Sequence, residues 1–230
     1  MNYGYMDEPG APLKLDRADE PDRCCIQLYN HVAGAVDLAG RNVLEVGSGR
    51  GGGASFIARY LRPGKMVGVD LSANAVDFSR KRHHWDGLEF EQGDAEHLPF
   101  GNETFDAVVN VESSHCYPSL EKFLAEIRRV LRKGGHFLYA DFRECSAVDE
   151  WRGCLEKSGL QLLREDDITA QVVAALDTDN KRKLALIEKL VPRPLRPSFL
   201  DFAAVQGSSV YESFRMRKLV YLRFVLQKNS

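Results

Sequence analysis

The chain has 230 residues, of which 44% are hydrophobic and 28% are charged, and its 31 basic and 33 acidic residues leave a formal charge of −2. This length allows one α/β domain with a buried core and is short for two. The near-neutral balance argues against nucleic acid or an anionic membrane as a partner.

The cysteines and the first residues of the chain indicate in which cellular compartment the protein is expected. The five cysteines include no C-x-x-C pair, so we expect reduced thiols rather than a zinc or redox motif. Residues 1–15 lack the basic start and apolar run of a signal peptide, and no segment approaches the ~20 consecutive apolar residues of a membrane span. The sequence thus predicts a cytoplasmic protein with no membrane span and no metal site.

The amino-terminal region predicts an arm followed by a helix. Tyrosines in Asn2-Tyr3-Gly4-Tyr5 precede an acidic stretch that is broken by prolines, so we expect residues 1–22 to form an arm or cap. From Arg23 to Val36, apolar residues recur at helical spacing, which indicates a helix with one apolar face. We expect this helix to pack beside the glycine-rich stretch that comes next.

That stretch joins a strand to a helix through glycines. Val43 to Val46 is mostly apolar, as in a buried strand, and five glycines follow within seven residues. Ala54 to Leu61 is then helix-like. A ligand can lie against the bare backbone amides of such a turn, and this geometry serves nucleotide-like cofactors.

The rest of the chain alternates strands with helices. The predicted elements are a strand at 66–70, a helix at 73–82, strands at 88–91 and 105–111, a helix over 120–131 that Lys133-Gly134-Gly135 stops, a strand at 136–140, a helix at 148–157, and strands at 160–165 and 221–227. Helical connections of this length are crossovers. They predict a mostly parallel sheet with helices on both faces.

The interval before the last strand does not follow this repeat. It is roughly fifty residues long, which is too long for a plain connection. Residues 168–176 and 184–191 predict two helices, and Pro192, Pro194 and Pro197 then predict an extended break. We expect residues 168–215 to form a lid near the carboxyl ends of the strands, with an oligomer contact or structural padding as the alternative. Its apolar residues, which either receive a substrate or pack into the core, are Leu184, Ile187, Leu190, Phe199, Leu200 and Phe202.

The glycine spacing indicates which cofactor the turn holds. Glu45-x-Gly47-x-Gly49-x-Gly51 resembles the first motif of the class I methyltransferases that use S-adenosylmethionine. By that resemblance, the backbone of Gly47 to Gly49 would pass under the methionine part of the cofactor, and Glu45 would shape the loop or meet the amino group. This cofactor has an ammonium and a ribose but no pyrophosphate, so carboxylates suit it. Asp70, at the end of the second strand, has two oxygens for the two ribose hydroxyls.

The next two motifs of that family are also matched. Asp70-Leu71-Ser72 and the run from Gly93 to Phe100 resemble them, so Asp94 would take the adenine amino group and the Ala95 amide would face a ring nitrogen. The alternative is that these acids only cap the helices that follow. The predicted cofactor-binding residues are Tyr5, Glu45, Gly47, Ser48, Gly49, Asp70, Leu71, Asp94, Ala95, Glu96 and Asn110.

The resemblance extends over nearly the whole chain and points to one subgroup. This subgroup contains the phthiotriol dimycocerosate methyltransferases and the O-methyltransferase domains of modular polyketide synthases. The matching strings are Asn2-Tyr3-Gly4-Tyr5, Asp19-Glu20-Pro21, Gln27-Leu28-Tyr29, Gly51-Gly52-Gly53-Ala54, Asn110 to Tyr117, and Val205-Gln206-Gly207. Met6 departs from the pattern, since many relatives have Trp there. The resemblance implies a Rossmann-like, seven-stranded, mostly parallel sheet with an amino-terminal arm and a helical lid before the last strand.

The residues after the fourth strand are the candidates for chemistry. His115 lies where the methyl group of the cofactor should point, and a histidine titrates near the working pH of a general base. In the embedded polyketide O-methyltransferases a histidine and a glutamate form the catalytic pair, which implies roles for His115 and Glu112. If residues 112–115 form a helical turn, Glu112 shares a face with His115 and orients it or binds the acceptor. Asp141 is the rival orienting group, and a plain loop histidine is the alternative for His115.

These observations together predict an S-adenosylmethionine-dependent O-methyltransferase. Its substrate is expected to be a hydroxyl or enol of a polyketide-like or lipid-like small molecule, free or on an acyl carrier protein. Catalysis would combine in-line positioning of donor and acceptor with the histidine base. The alternatives are methylation of carbon or nitrogen, and a protein that binds S-adenosylmethionine or another nucleotide without chemistry.

Overall fold

The computed structural model describes residues 2–6 and 13–229 and is built on one seven-stranded sheet. The strands are β1 (Asn42–Val46), β2 (Lys65–Asp70), β3 (Leu88–Gln92), β4 (Phe105–Val111), β5 (Leu131–Glu144), β6 (Leu160–Asp167) and β7 (Leu219–Lys228). Their order across the sheet is β3-β2-β1-β4-β5-β7-β6. β7 is antiparallel to both of its neighbours, whereas the pairings from β3 to β5 are parallel. The predicted Rossmann-like, mostly parallel sheet is thereby confirmed.

Helices cover both faces of the sheet. They are α1 (Arg23–Ala33), α2 (Gly52–Phe56, continued by a π-helical turn at Ile57–Leu61), α3 (Ala73–Arg82), α4 (Leu120–Val130), α5 (Val148–Lys157), α6 (Thr169–Leu190), α7 (Arg196–Phe202) and α8 (Ser209–Arg215). One core layer receives side chains from α1, α2 and α6, and the other receives them from α4 and α5. The sheet is therefore buried on both sides, as its apolar strands require.

The junction of α4 and β5 differs from the prediction. The helix ends at Val130, and Lys133-Gly134-Gly135 lies within β5 instead of stopping the helix. The pairing register shifts between Phe105 and Ala107, so β5 contains an irregularity there. Gly134 has a φ of +74°, a left-handed conformation that glycine adopts without strain. The glycines thus serve a bulge within a strand.

The segment between β6 and β7 also differs from the prediction. α6 is one helix of 22 residues, where two helices were predicted. No glycine or proline interrupts residues 177–183, and Asp177 accepts a hydrogen bond from the Tyr211 hydroxyl at 2.7 Å. The predicted extended break is wrong as well, because Pro197 lies in the first turn of α7, where proline is compatible with a helix. α8 was not predicted.

Residues 2–6 of the predicted arm pack between α1 and α6. The Tyr5 amide donates to the Cys24 carbonyl at 2.9 Å, and the Met6 amide donates to the Gln171 carbonyl at 3.2 Å. Residues 7–12 of the arm, with Met1 and Ser230, lie outside the described residues. Within the described ranges, no helix has both the length and the apolar character needed to cross a bilayer.

Candidate active site

A cavity of about 370 Å³ lies at the carboxyl ends of the parallel strands, and we call it the glycine-loop cavity. Its lining combines backbone of the glycine turn with side chains that follow β2, β3 and β4. The lining residues are Asn2, Tyr29, Val46, Gly47, Ser48, Gly49, Val69, Asp70, Leu71, Gly93, Asp94, Ala95, Glu96, Val111, Glu112, Ser113, Cys116, Tyr117 and Pro118. The strand ends bring these residues together, as expected for an open α/β sheet.

The glycine turn leaves bare backbone against this cavity. Gly47 has a φ of +73°, and a Cβ at this position would collide with the Ser113 hydroxyl. Gly49 has a φ of +53°, and a Cβ there would meet nothing within 4 Å. The first glycine therefore allows close packing behind the turn, and the second keeps the turn open toward a ligand.

The two acids that were predicted to bind the cofactor, Asp70 and Asp94, line the same cavity. Asp70 accepts from the Gly49 amide at 2.7 Å and from the Ser72 amide at 2.9 Å, one bond to each carboxylate oxygen. Asp94 accepts from the Glu96 amide at 2.9 Å. Each carboxylate oxygen can accept a further bond, so both acids remain able to bind hydroxyl or amino groups.

Two more features of the lining fit the predicted cofactor. The Ser48 hydroxyl is buried and has no hydrogen-bond partner among the described residues, although buried polar groups are normally paired. Leu71 is 69% exposed beside Asp70, which leaves an apolar surface for a flat ring to cover. Acceptors for hydroxyl and amino groups, an apolar surface and bare backbone together suit S-adenosylmethionine.

Four of the predicted cofactor residues have contacts of another kind. Glu45 is fully buried behind the turn, where it accepts from the Tyr29 hydroxyl at 2.6 Å and burial raises its pKa to about 7. The Asn110 side chain donates to the Val46 carbonyl at 2.9 Å. The Glu96 carboxylate accepts from the Ser119 amide at 2.7 Å, at the start of α4. Tyr5 stacks on His31 in the core, with 4.2 Å between ring centroids.

A second, smaller cavity of about 80 Å³ adjoins the first, and we call it the histidine cavity. Both cavities are lined by Asn2 and Glu112, so these residues stand between them. Most of its lining comes from segments that are far apart in the sequence. The lining residues are Asn2, Tyr3, Glu112, His115, Phe142, Lys183, Phe202 and Ala203.

His115 is held by a carboxylate on the neighbouring strand. Its Nδ1 lies 2.8 Å from Asp141 Oδ1, and its backbone amide donates to Asp141 Oδ2 at 3.0 Å. Asp141 is fully buried and also accepts from the Ser114 hydroxyl at 2.6 Å. Of the two candidates that the sequence offered, Asp141 is thus the one that makes the hydrogen bond to His115.

This pairing changes the acidity of both groups. Burial opposes a charge on His115, but the hydrogen bond and the charge of Asp141 outweigh it and raise the pKa of His115. Burial also opposes the charge of Asp141, but its bonds and charge contacts with His115 and Arg143 lower its pKa. A neutral His115 that donates through Nδ1 carries its lone pair on Nε2. That nitrogen is the one available to take a proton.

Glu112 is placed differently from the prediction. Its φ of +49° is left-handed, and a short 3-10 turn begins only at Ser114, so residues 112–115 do not form one helical turn. The Glu112 carboxylate accepts from the Tyr3 amide at 2.8 Å. Burial raises the pKa of Glu112 to about 7. Glu112 therefore joins the amino-terminal arm to the boundary between the two cavities.

Some lining residues were not singled out from the sequence. Tyr117 contacts both Ser113 and Asn110 beneath the glycine turn, at 2.9 and 3.1 Å, and it belongs to the string that carried the family resemblance. Lys183 offered a weaker signal. It lies four residues after Asp179 and four before Ile187, and all three are buried, so helical spacing alone places it on the inner face of α6.

Comparisons with known proteins find similarity to methyltransferases. Residues 44–139 match the family model described as a methyltransferase domain. The chain is 41% identical over 229 residues to the phthiotriol/phenolphthiotriol dimycocerosates methyltransferase of Mycobacterium leprae, with 100% of this chain and 85% of that one covered. It is 40% identical over 228 residues to the fatty-acid O-methyltransferase of Mycolicibacterium smegmatis, with 99% and 82% covered.

A solved structure supports the fold. Geranyl diphosphate C-methyltransferase from Streptomyces coelicolor A3(2), solved in complex with Mg²⁺, geranyl diphosphate and S-adenosyl-L-homocysteine, has a TM-score of 0.71 to this chain. The superposition covers 99% of this chain and 92% of that one at 17% identity. At this identity the likeness concerns the fold alone.

Proposed function

Because this chain belongs to the S-adenosylmethionine-dependent methyltransferases, we propose that it methylates an oxygen atom of a lipid-like substrate, with His115 as the general base. The chain is an enzyme whose cofactor is S-adenosyl-L-methionine. The lipid-like acceptor, the choice of oxygen, the role of His115 and the residues that bind the cofactor are the proposal.

The observation that carries the proposal is the pairing of His115 with Asp141 beside the boundary of the two cavities. The 2.8 Å contact through Nδ1 leaves Nε2 as the basic nitrogen. A hydroxyl must lose its proton as it accepts a methyl group, and a positioned base of suitable pKa assists this step. The His115 side chain is 29% exposed, so a substrate can reach it.

The glycine-loop cavity is proposed to hold the cofactor. Asp70 would accept from the ribose hydroxyls, Asp94 and the Ala95 amide would contact the adenine, and Leu71 would pack against its ring. The backbone of residues 47–49 would lie along the methionine part, with the buried Ser48 hydroxyl as a further polar contact. When bound, S-adenosylmethionine supplies an electrophilic methyl group on a sulfonium, which the acceptor approaches in line with the departing sulfur.

The remaining steps belong to this chain's own residues. Asp141 fixes the ring of His115 and stabilises its protonated form, and Phe142 packs on the ring at 4.5 Å between centroids. Glu112 and Tyr3 close the boundary to the arm, which limits water in the histidine cavity. Holding the acceptor oxygen close and oriented supplies much of the rate gain.

The segment at 168–215 is proposed to act as the lid that binds the apolar part of the acceptor. Phe202 lines the histidine cavity and is 67% exposed, so it presents an aromatic surface next to the reacting end. Leu190 and Phe199 are also exposed apolar side chains of this segment, while Ile187 and Leu200 pack inward. An alkyl chain that lies on this surface would bury it from water.

Product analysis tests the proposal. The enzyme would be incubated with S-adenosylmethionine and a panel of long-chain acids, enols, phenols and alcohols, each offered free and, for the enols and alcohols, also as the β-ketoacyl or hydroxyacyl thioester of an acyl carrier protein. The expected product has gained one methyl group in mass and has the proton and carbon NMR shifts of a methyl ether or ester. A methyl group on carbon or nitrogen would contradict the proposal.

A further inference from the structure

Lys183 is a buried lysine that reaches the reacting end of the site from α6. It is 6% exposed and lines the histidine cavity together with His115 and Glu112. Its Nζ donates to the Ala203 carbonyl at 3.1 Å, just after the end of α7. An ammonium group has three donors, so this bond leaves it able to make others.

Lys183 has no carboxylate within ion-pair distance. Burial lowers its pKa, and the negative charges of Asp179 and Glu112 act against this from farther away. Asp179, one turn earlier on the same face of α6, is paired with Arg182, whose Nε and Nη2 each lie 2.6 Å from one of its oxygens. Within residues 2–6 and 13–229, no carboxylate oxygen lies within 4.0 Å of Lys183 Nζ. A buried charge without a counterion is costly and is normally paired. This arrangement suits a lysine whose partner is brought by a ligand.

The other charges around the histidine cavity also favour a ligand that brings a negative charge to Lys183. Asp141 raises the pKa of His115, so the ring stays charged beside the anion once it has taken the proton of the substrate. The negative charge of Asp141 is already shared among His115, Ser114 and Arg143, which lies 3.3 Å away. Burial raises the pKa of Glu112 to about 7, which disfavours its negative charge. With the ammonium of Lys183 and a protonated His115, the cavity can hold an anion.

We infer that Lys183 binds the acceptor oxygen of the substrate as an oxyanion, which makes the substrate class a lipid with an acidic O–H group, and not a neutral alcohol. A carboxylic acid and an enol or phenol share this chemistry. The inference rests on the proposed function, because the bound anion is the oxygen that receives the methyl group.

The proton and charge balance follow directly. The acidic O–H gives its proton to His115 Nε2 or to water, and the oxygen that remains negative is held by the Lys183 ammonium. A lone pair of this oxygen forms the new bond to the methyl carbon as the bond from that carbon to the sulfonium sulfur breaks. The electron pair of the broken bond stays on sulfur, so the other product is neutral S-adenosylhomocysteine. The resulting ester or ether is neutral, so its attraction to Lys183 is lost and release of the product is favoured. His115 then returns its proton to solvent.

Binding measurements separate this role from a merely structural one. Calorimetry would compare decanoate, 4-heptylphenol and 1-decanol, each below its aggregation concentration and with S-adenosylhomocysteine present. We expect decanoate to bind about 10- to 100-fold more tightly than 1-decanol, the range for a hydrogen bond to a charged group. Lys183→Met should remove this advantage and leave 1-decanol binding unchanged. A gain for 4-heptylphenol that also depends on Lys183 would assign an enol or phenol to the site.

Matched variants complete the experiment. Lys183→Gln keeps a donor for the Ala203 carbonyl without the charge and should behave like Lys183→Met, so it serves if the methionine variant does not fold. Lys181→Met, exposed on the same helix, is the control and should bind as the unaltered enzyme does. Equal affinity of the enzyme for decanoate and 1-decanol would overturn the inference, as would an equal loss for both ligands in the Lys183 variants. Carbon or nitrogen methylation with Lys183-dependent binding intact would contradict the proposed function and the assignment of the bound oxygen as the acceptor, while the binding of an anionic lipid by Lys183 would stand.

Discussion

The glycine-loop cavity and the histidine cavity are built from the sequence in different ways. The first is lined mainly by residues that directly follow consecutive strands, such as Gly49, Asp70 and Asp94. The second joins an amino-terminal residue, Tyr3, to His115 and to Phe202 near the end of the chain. Local motifs therefore determine the first cavity, whereas tertiary packing determines the second. We expect substitutions in one to affect cofactor binding and substitutions in the other to affect turnover.

The sharpest test of this division is His115→Ala. With an enol or phenol acceptor, whose oxygen still carries its proton near neutrality, loss of a positioned general base should lower kcat by about 10²- to 10⁴-fold. The affinity for S-adenosylhomocysteine should stay within about 2-fold, because His115 lines only the histidine cavity. Steady-state kinetics and calorimetry measure the two quantities. His84→Ala replaces an exposed histidine and serves as the control. Full turnover of the His115 variant would exclude its role as the base.

Asp70→Ala is the counterpart on the cofactor side. The carboxylate holds the Gly49 amide and is proposed to bind the ribose, so its removal should weaken S-adenosylmethionine binding by about 10²-fold. At saturating cofactor, kcat should change by less than about 3-fold. Calorimetry and initial rates at varied cofactor concentration measure both. Asp77→Ala, on the neighbouring helix α3, is the control. An unchanged cofactor affinity would place the ribose elsewhere.

A pH profile tests how Asp141 acts on His115. Asp141 raises the pKa of His115, so the basic ring is present above this raised value and the rate should fall as the pH drops through it. Asp141→Asn removes the negative charge, although Glu112 and Arg143 still face the ring. In the profile of rate against pH, the acidic limb, where the rate falls, should move to lower pH. On the plateau above it, kcat should fall by about 10-fold because the ring is less well oriented.

The outcome distinguishes positioning from a structural role. A protein that is only destabilised loses activity at all pH values without a shift of the acidic limb. Asp149→Asn, at an exposed position in α5, should leave both the limb and the plateau unchanged. An acidic limb that stays in place in the Asp141 variant would mean that another group controls the titration.

The same division explains what could be predicted from the sequence. The seven-stranded sheet and the cavity-lining positions of Asp70 and Asp94 follow from strand patterns and the short motifs after them. The lid was predicted less well. Pro197 was predicted to break the chain, but it is compatible with the first turn of a helix. Residues 177–183 carry no pattern that marks them as a continuation of α6. The contact of His115 with Asp141 spans 26 residues and depends on how β4 and β5 pair. Such contacts are set by packing, which sequence motifs do not encode.

The smallest expected effect concerns the apolar edge of the histidine cavity. Phe202→Ser removes an exposed ring that is proposed to contact the alkyl chain of the acceptor. Covering roughly 50 Å² of apolar surface contributes about 1 kcal/mol, so KM for a long-chain acceptor should rise about 5-fold. The effect should shrink as the chain of the acceptor is shortened, because a short chain does not reach the ring. kcat and cofactor affinity should not change, since Phe202 has no polar group that could act on His115 and does not line the glycine-loop cavity. Leu163→Ser removes a comparably exposed apolar side chain from β6 and is the control. A KM that rises equally for short and long acceptors would assign Phe202 to holding the lid, and the alkyl chain would then lie on another surface.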